Sequence, residues 1–227
     1  MFKFLFCLAA LTLAGRAGFA GTGSCRAFNS KADFDAFNQD EGKSLEAIET
    51  FGESNIPPLG KVPLPAPLDQ DPNTFFGIGF PNGLAAQNLA IWDNVTPGED
   101  PPGLNPSGSE LALYVIGVGF FEASQNKVGS DLFSQKIQAS VDLVFAGPRY
   151  SGVGFELSWF FDRANWHVAI YNAAGETIAL YVFQGPPQPE PQTSFFGVWC
   201  NQGIARINIY DDVSAQPDAI ANIEMWL

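Results

Sequence analysis

Apolar and polar residues alternate with a period of two through much of the second half of the chain. In QASVDLVF, the side chains of Val141, Leu143 and Phe145 fall on one side and those of Ser140 and Asp142 on the other. Successive side chains of a β-strand point to opposite faces of a sheet, so a half-buried strand requires this alternation. The pattern therefore predicts a strand with one face in the core.

Three later segments repeat this alternation, and NAAGE at 172–176 predicts a hairpin connection between two of them. Short strands at this spacing, rich in valine, isoleucine and aromatic residues, are typical of antiparallel sandwiches. We therefore expect an all-β fold, an antiparallel β-sandwich of the jelly-roll or concanavalin-like type. The predicted core-facing sets are Val153, Phe155, Leu157 and Trp159; Trp166, Val168 and Ile170; and Ile178, Leu180 and Val182.

One short N-terminal helix is predicted before the strands. Ser30 suits the N-cap position with Asp33 three residues later, and Phe34 and Phe37 share one side of the helix. We expect these two phenylalanines to seat the helix on the sandwich as a lid.

Proline-dense stretches at 55–73, 94–110 and 184–192 interrupt the pattern. Proline cannot donate to a sheet ladder and has a fixed φ, so these stretches predict surface loops. The segments between them are too short to fold alone, which favours one domain. The expected organisation is a signal peptide at 1–20, an N-terminal arm with the short helix at 21–44 and a single β-sandwich domain at 45–227.

The first twenty residues have the layout of a secretory signal peptide. Lys3 precedes an apolar run from Phe4 to Ala14, and the small residues Gly18 and Ala20 precede the expected cleavage point. The run is too short to cross a bilayer. We expect a secreted, extracellular or periplasmic protein with no membrane span in the mature chain.

The chain is acidic, with 11 Lys and Arg against 24 Asp and Glu, a net charge of −13. Removal of the leader takes away Lys3 and Arg16, which leaves nine basic residues and a net charge of −15. Phosphate backbones repel such a chain, so nucleic acid is not an expected partner. Calcium, a neutral polysaccharide or a basic partner stays open, and solubility alone would also explain the charge.

Export leaves two cysteines, Cys25 and Cys200. In an oxidising compartment they predict one disulfide between the N-terminal arm and the late strands, with two free thiols as the alternative.

Catalytic chemistry has few candidate residues. His167 is the only histidine, which excludes a multi-histidine zinc site, and no G-x-S-x-G motif is present. Glycoside hydrolysis needs two facing carboxylates, but Glu46 and Glu49 are three residues apart on one strand and so point to opposite faces. We expect a protein without enzymatic activity.

Calcium is the one cofactor that the sequence suggests, as a structural ion. Asp211, Asp212 and Asp218 flank the final loop, and Glu49 could approach them if the two ends of the chain pair. Carboxylate oxygens are suitable calcium ligands.

Four ring-bearing residues are candidates for ligand binding. Trp92 lies at the edge of a loop, and His167, Tyr171 and Tyr181 alternate with predicted core residues. Exposed rings stack on sugar faces, whereas core packing is the alternative for most aromatic residues in this chain. The assignment inverts if their face is the one that the other sheet covers.

The stretch SFFGVWCNQGIARINIYDD at 194–212 predicts a closing hairpin with its turn at 201–203. Arg206 alternates with Ile207, so we expect it to pair with an acid on a neighbouring strand.

Several segments resemble the secreted β-sandwich domains of bacterial exported proteins, many of which carry a C-terminal PEP-CTERM sorting tail. The resemblance implies a jelly-roll or lectin-like sandwich without an assigned activity. This chain ends at Leu227 without such a tail, so tail-mediated anchoring is not expected, and Ala221 stands where the family often has aspartate. The similar segments are GVGFE at 152–156, FFGV at 195–198, GIARINI at 203–209, NIEMW at 222–226, DFDAF at 33–37 and ETFGES at 49–54.

These observations predict a secreted, non-catalytic binding module of the cell envelope or extracellular space, with carbohydrate as the first ligand class to test. The expected partner is a polysaccharide or another envelope protein. The alternative is a structural or adhesive extracellular protein that binds other proteins or itself. A glycan-cleaving enzyme is the third interpretation.

Overall fold

A computed structural model describes residues 25–56, 61–64, 67–94, 113–116, 127–130, 140–147, 149–159, 165–184, 192–211 and 219–227. The predicted signal peptide and Asp212 and Asp218 lie outside these ranges, as does most of the second and third proline-dense stretches. The elements are β1 (Cys25–Phe28), α1 (Lys31–Asp40), β2 (Leu45–Glu49), β3 (Lys61–Leu64), β4 (Asn73–Phe75), β5 (Ile78–Phe80), β6 (Leu89–Asn94), β7 (Leu113–Ile116), β8 (Lys127–Ser130), β9 (Ser140–Phe145), β10 (Tyr150–Trp159), β11 (Asn165–Tyr171), β12 (Thr177–Gln184), β13 (Gln192–Ile204), β14 (Arg206–Asp211) and β15 (Ala219–Trp226).

The strands form two main antiparallel sheets. The eight-stranded sheet has the order β1-β13-β10-β15-β8-β7-β3, with β2 also paired to β15, and the five-stranded sheet has the order β12-β11-β14-β9-β6. A small third sheet is the β4–β5 hairpin. The prediction of an antiparallel β-sandwich with one short N-terminal helix is confirmed. Strand β3 falls in the first proline-dense stretch, where the sequence predicts only a loop, and it lies at a sheet edge, which tolerates proline.

The inner faces of the two sheets share one hydrophobic core. Ile91, Leu143, Ile207 and Ile170 lie opposite one another across the five-stranded sheet, and all four are fully buried. The Phe196 ring of the larger sheet lies 5.6 Å from the ring of Tyr181. Each buried side chain of this size contributes roughly 1.5–3 kcal/mol to folding. The core-facing predictions for β9, β10 and β11 are confirmed at Val141, Leu143, Phe145, Val153, Phe155, Leu157, Val168 and Ile170. The side chains of Trp159 and Trp166, also predicted to face the core, lie outside the described part of the structure.

The core-facing prediction for β12 is confirmed at Ile178 and is wrong at Leu180 and Val182. Leu180 and Val182 are 48% and 50% exposed, whereas Tyr181 is 8% exposed and packs in the core. Ile170 pairs with Ala179 while the next residue, Tyr171, pairs with Thr177. The extra residue forms a β-bulge, which reverses the alternation beyond it.

The predicted closing hairpin is also wrong, because β13 and β14 belong to different sheets. The chain crosses at Ala205, whose amide donates to the Tyr171 carbonyl (2.9 Å) and whose carbonyl accepts from the Phe145 amide (2.9 Å). Asn201 and Gly203, placed in the turn by the sequence, lie within β13. The NAAGE hairpin between β11 and β12 is confirmed, with the Asn172 amide bonded to the Glu176 carbonyl.

Helix α1 begins where the sequence predicts. The Ser30 hydroxyl accepts a hydrogen bond from the Asp33 amide at 3.3 Å, which caps the helix. The fully buried Phe34 packs with Phe28 and Trp226 on the outer face of the eight-stranded sheet. The helix therefore covers the part of this face that β1, β13, β10 and β15 form, as the lid prediction requires.

The first and last described strands both belong to the eight-stranded sheet. Residues 25–28, assigned to the arm, form β1 beside β13, and β2 pairs with β15 so that Glu49 faces Ile223. Cys25 lies directly opposite Cys200, and the two are joined by the predicted disulfide. Among the described residues, no helix is long and apolar enough to cross a membrane.

Candidate functional site

The outer face of the five-stranded sheet carries an unusual set of side chains. Trp92, Asp142, Asn208, Ala169 and Leu180 lie opposite one another in that order across all five strands. Opposed residues of an antiparallel pair point to the same side of the sheet. Their neighbours along each strand point into the core, so this row lies on the outer face.

A charged network occupies the middle of this face. The Arg206 guanidinium donates from Nε to Asp142 Oδ1 and from Nη2 to Asp142 Oδ2, both at 2.8 Å. The Asn208 amide donates to Asp142 Oδ1, also at 2.8 Å. Asp142 and Asn208 are fully buried, and the side chain of Arg206 retains 11% of its exposure. A two-pronged bond of this kind fixes both distance and orientation, so the guanidinium is held in place.

A stacked ring fixes Arg206 from a second direction. Its guanidinium carbon lies 4.9 Å from the centre of the Tyr171 ring, and Tyr171 is itself buried. Cation–π contacts of this geometry add to the orientation that the carboxylate imposes. Arg206 thus has little freedom to change its rotamer.

Three of the four predicted ring residues lie on this face. Trp92 lies in the row beside Asp142, Tyr171 stacks on Arg206, and His167 lies opposite Val182 and Tyr210 in the neighbouring row. Trp92 and His167 are partly exposed. Among the described side chains of this face, Trp92 on the β6 side, Arg206 in the middle and His167, Leu180 and Val182 on the β11–β12 side are at least partly exposed.

The fourth ring residue, Tyr181, does not lie on this face. The prediction that it projects outward is wrong, because the β-bulge in β12 turns it into the core. Burial raises the pKa of Tyr181 to about 12, so its hydroxyl stays protonated in any physiological medium.

A second open surface lies between β1 and α1. This groove, of about 440 Å³, is lined by Arg26, Asn29, Asp33, Phe37 and Asp40 among others. The Arg26 guanidinium lies 4.7 Å from the centre of the Phe37 ring. The polar side chains that line the groove are exposed, so the groove can serve as the control surface in binding experiments.

Of the four residues predicted to bind calcium, only Glu49 has a side chain in the described part of the structure. Glu49 is fully buried, and its carboxylate accepts hydrogen bonds from the Phe51 amide (2.6 Å) and the Ala86 amide (3.0 Å). Asp212 and Asp218 lie outside the described residues, as does the side chain of Asp211. The described part of the chain holds no group of three or more His, Cys, Asp or Glu suited to a metal ion. Strands β2 and β15 do pair, which is the condition under which Glu49 was expected to approach the final loop. Calcium binding stays a prediction.

Sequence reasoning selected Trp92, His167 and Tyr171 but missed Asp142 and Asn208, which form the charged network with Arg206. Arg206 was expected to pair with an acid on a neighbouring strand, and Asp142 on β9 is that acid. Asp142 and Asn208 carried a usable signal, because each is a polar residue that alternates with core residues. Their complete burial on an outer face could not be read from the alternation.

No family model matches the chain, and no curated protein matches it. Solved structures to which part of this chain is similar include the enzymatically active domain of bacteriophage CBA120 tailspike protein 4, with a TM-score of 0.38 and 10% identity over 61% of this chain and 19% of that one. A mutant of the family 29 carbohydrate-binding module CBM29-2 complexed with mannohexaose gives 0.34 and 13% over 61% and 90%. An Arthrobacter globiformis T6 isomalto-dextranase complexed with panose gives 0.33 and 9% over 61% and 23%. The chain spans about a fifth of the tailspike domain.

Proposed function

We propose that this protein is a secreted, non-catalytic module that binds carbohydrate on the outer face of its five-stranded sheet. The observation that carries the proposal is the row in which Trp92 adjoins the Asp142–Arg206–Asn208 network, with Tyr171 and His167 on the same face. The partly exposed members, Trp92, His167 and Arg206, are the groups that a ligand would contact. Asp142, Asn208 and Tyr171 would position Arg206.

The chemistry of this face suits a sugar. A pyranose ring presents an apolar C–H face and a rim of hydroxyl groups, so its recognition combines an aromatic ring with fixed hydrogen-bonding groups. Trp92 supplies an indole, and Arg206 supplies a guanidinium whose orientation is set before a ligand arrives. Such preorganisation reduces the entropy that binding costs.

The charge of the face favours a neutral sugar. The carboxylate of Asp142 balances the guanidinium of Arg206 at 2.8 Å, so the pair carries no net charge. The whole chain, at −13, repels uronic acids and other anionic glycans. A neutral polysaccharide or oligosaccharide is therefore the ligand class we propose.

The test is the affinity of the purified protein for neutral glycans, measured by affinity electrophoresis on soluble polysaccharides and by titration calorimetry with oligosaccharides such as mannohexaose and panose. We expect Trp92→Ala to weaken binding by at least about tenfold, a loss of about 1.4 kcal/mol. The matched control is Arg26→Ala, which alters the groove between β1 and α1 and should leave affinity within about twofold.

The outcomes distinguish the two surfaces and test the proposed function itself. Loss of binding in Arg26→Ala and not in Trp92→Ala would move the site to the groove. Failure of every neutral glycan to bind would refute the carbohydrate proposal. Release of shorter oligosaccharides from a bound glycan would refute its non-catalytic part and favour a glycan-cleaving enzyme.

A second candidate function is adhesion to another protein or to a second copy of this chain. The observation that favours it is the exposure of Leu180 and Val182, two apolar side chains on one face of β12. A protein partner would remove them from water more fully than a sugar would. Sedimentation analysis that shows a dimer in wild type and a monomer in Leu180→Ser would favour this function.

A further inference from the structure

The β4–β5 hairpin ends in exposed apolar side chains. Phe76 at its turn is 90% exposed, and Phe75 and Ile78 on either side are exposed as well. The two phenylalanine rings have their centres 4.4 Å apart and are inclined by 69°. We call Phe75, Phe76 and Ile78 the aromatic tip.

The turn at the aromatic tip has a backbone conformation that phenylalanine seldom adopts. Phe76 has a φ of +51° and Gly77 a φ of +78°, the signs required by a two-residue type I′ turn. Asparagine and glycine favour such angles, whereas an aromatic residue there is uncommon. A large apolar ring thus occupies a position where neither backbone preference nor burial supports it, which points to a role outside folding.

A side chain from outside the hairpin holds the turn in place. Asn55 donates from Nδ2 to the Gly77 carbonyl (2.9 Å) and accepts at Oδ1 from the Gly79 amide (2.7 Å), and its own amide donates to the Gly79 carbonyl (2.9 Å). At the base, Phe80 is fully buried and packs edge-to-face on Phe51. The aromatic tip is therefore displayed on a rigid support.

The same hydrogen bonds satisfy backbone groups that would otherwise need water. The Gly77 carbonyl and both polar groups of Gly79 bond to Asn55. Unsatisfied backbone groups are what bars most turns from an apolar medium. Transfer of this turn into an apolar medium would therefore cost less free energy than transfer of a loop without such bonds.

Shape and charge select the medium. Rings inclined by 69° form a wedge and not the flat platform that a sugar chain needs. Three side chains are far too few for a stable protein interface, which buries about 1,200 Å² or more. Asp69 and Asp71 precede the hairpin and the chain carries −13, so an anionic lipid surface is repelled.

We propose that the aromatic tip inserts into the headgroup and acyl boundary of a zwitterionic lipid bilayer, which carries no net charge. Aromatic and aliphatic side chains partition into this boundary, and a single small tip gives weak, reversible attachment. The proposal is independent of sugar binding, because the aromatic tip shares no residue with the outer face of the five-stranded sheet.

The test is sedimentation of the exported protein with phosphatidylcholine vesicles, its mature N-terminus being verified by mass spectrometry. We expect wild type to partition onto the vesicles and Phe76→Asn to partition less by a factor on the order of ten or more, since burial of one phenylalanine is lost. Asparagine suits the positive φ, so this variant should keep its fold. Replacement of part of the lipid by phosphatidylglycerol should reduce wild-type binding.

The matched control is Ile48→Thr, which removes an exposed apolar residue of β2 that lies outside the aromatic tip. It should bind the vesicles as wild type does. Absence of wild-type binding, or equal binding by wild type and Phe76→Asn, would overturn the proposal. Self-association that Phe76→Asn abolishes, without vesicle binding, would also overturn it and identify a second copy as the occupant.

Discussion

The two sheets of the sandwich treat their outer faces in opposite ways. On the eight-stranded sheet, helix α1 covers the part of the outer face that β1, β13, β10 and β15 form, where its Phe34 packs with Phe28 and Trp226. The outer face of the five-stranded sheet is built around the buried ion pair of Asp142 and Arg206. Both faces arise from strands with the same period-two alternation.

The helix can pack closely on the sheet because glycines beneath it leave room for the Phe34 ring. A Cβ at Gly197 would lie 2.7 Å from the Phe34 ring, and a Cβ at Gly154 would lie 2.8 Å from it. One ion pair, Lys31 with Glu224, accompanies the aromatic contacts at this interface. Apolar closure therefore serves stability, whereas the oriented polar groups of the other face suit recognition.

The largest expected effect on this comparison is that of Phe34→Ala. Phe34 is fully buried against Phe28, Phe195 and Trp226, so its truncation should lower the free energy of unfolding by about 3–5 kcal/mol. Denaturant unfolding followed by tryptophan fluorescence measures the change. The control is Phe76→Ala, an exposed ring whose loss should change stability by less than about 0.5 kcal/mol. Equal costs for the two variants would contradict closure by the helix.

A second prediction addresses the ion pair of the other face. Asp142→Leu leaves the Arg206 guanidinium buried without its carboxylate and should cost about 3–5 kcal/mol of unfolding free energy. The double variant Asp142→Leu with Arg206→Met removes both charges and should recover most of that loss. Thermal and denaturant unfolding of the single and double variants supply the coupling energy. A double variant no more stable than the single one would show that the loss comes from packing and not from the unpaired charge.

The smallest expected effect is a dependence of stability on pH. Burial raises the pKa of Glu224 against the opposing effect of Lys31, and burial raises the pKa of Glu49 against two backbone hydrogen bonds. A carboxyl group whose pKa is higher in the folded state binds its proton more tightly there. The contribution of these two carboxyls to stability should therefore be full below the ordinary glutamate pKa and be lost as pH rises through the raised pKa of the folded state, by about 1.4 kcal/mol for each unit of pKa difference.

Melting temperatures between pH 4.5 and 8 measure this effect, and Glu224→Gln identifies the contribution of the helix-covered face. The variant should show a flatter profile than wild type, with Glu49 contributing to the remaining slope. A wild-type melting temperature that rises steadily to pH 8 would contradict the prediction.

Local signals predicted the parts of the structure that depend on near neighbours. The Ser30 cap, the NAAGE hairpin and the inward faces of β9, β10 and β11 follow from contacts within a few residues. The disulfide between Cys25 and Cys200 was predictable despite a separation of 175 residues, because the predicted removal of residues 1–20 leaves only two cysteines.

Predictions failed where one residue changed the register or where the partner was distant. The bulge in β12 exposes Leu180 and buries Tyr181, although the alternation itself continues on both sides of it. The chain crosses to the other sheet at Ala205, although Gly203 nearby predicts an ordinary hairpin turn.

The sequence by itself determined an acidic, single-disulfide β-sandwich with one capped helix, because alternation, capping and cysteine number act through the chain's own local chemistry. Only the tertiary structure decided which outer face α1 covers and which polar residues meet on the other. Asp142 and Arg206 are 64 residues apart in sequence and 2.8 Å apart in space. Such pairings are set by sheet order and register, which depend on how all the strands pack together.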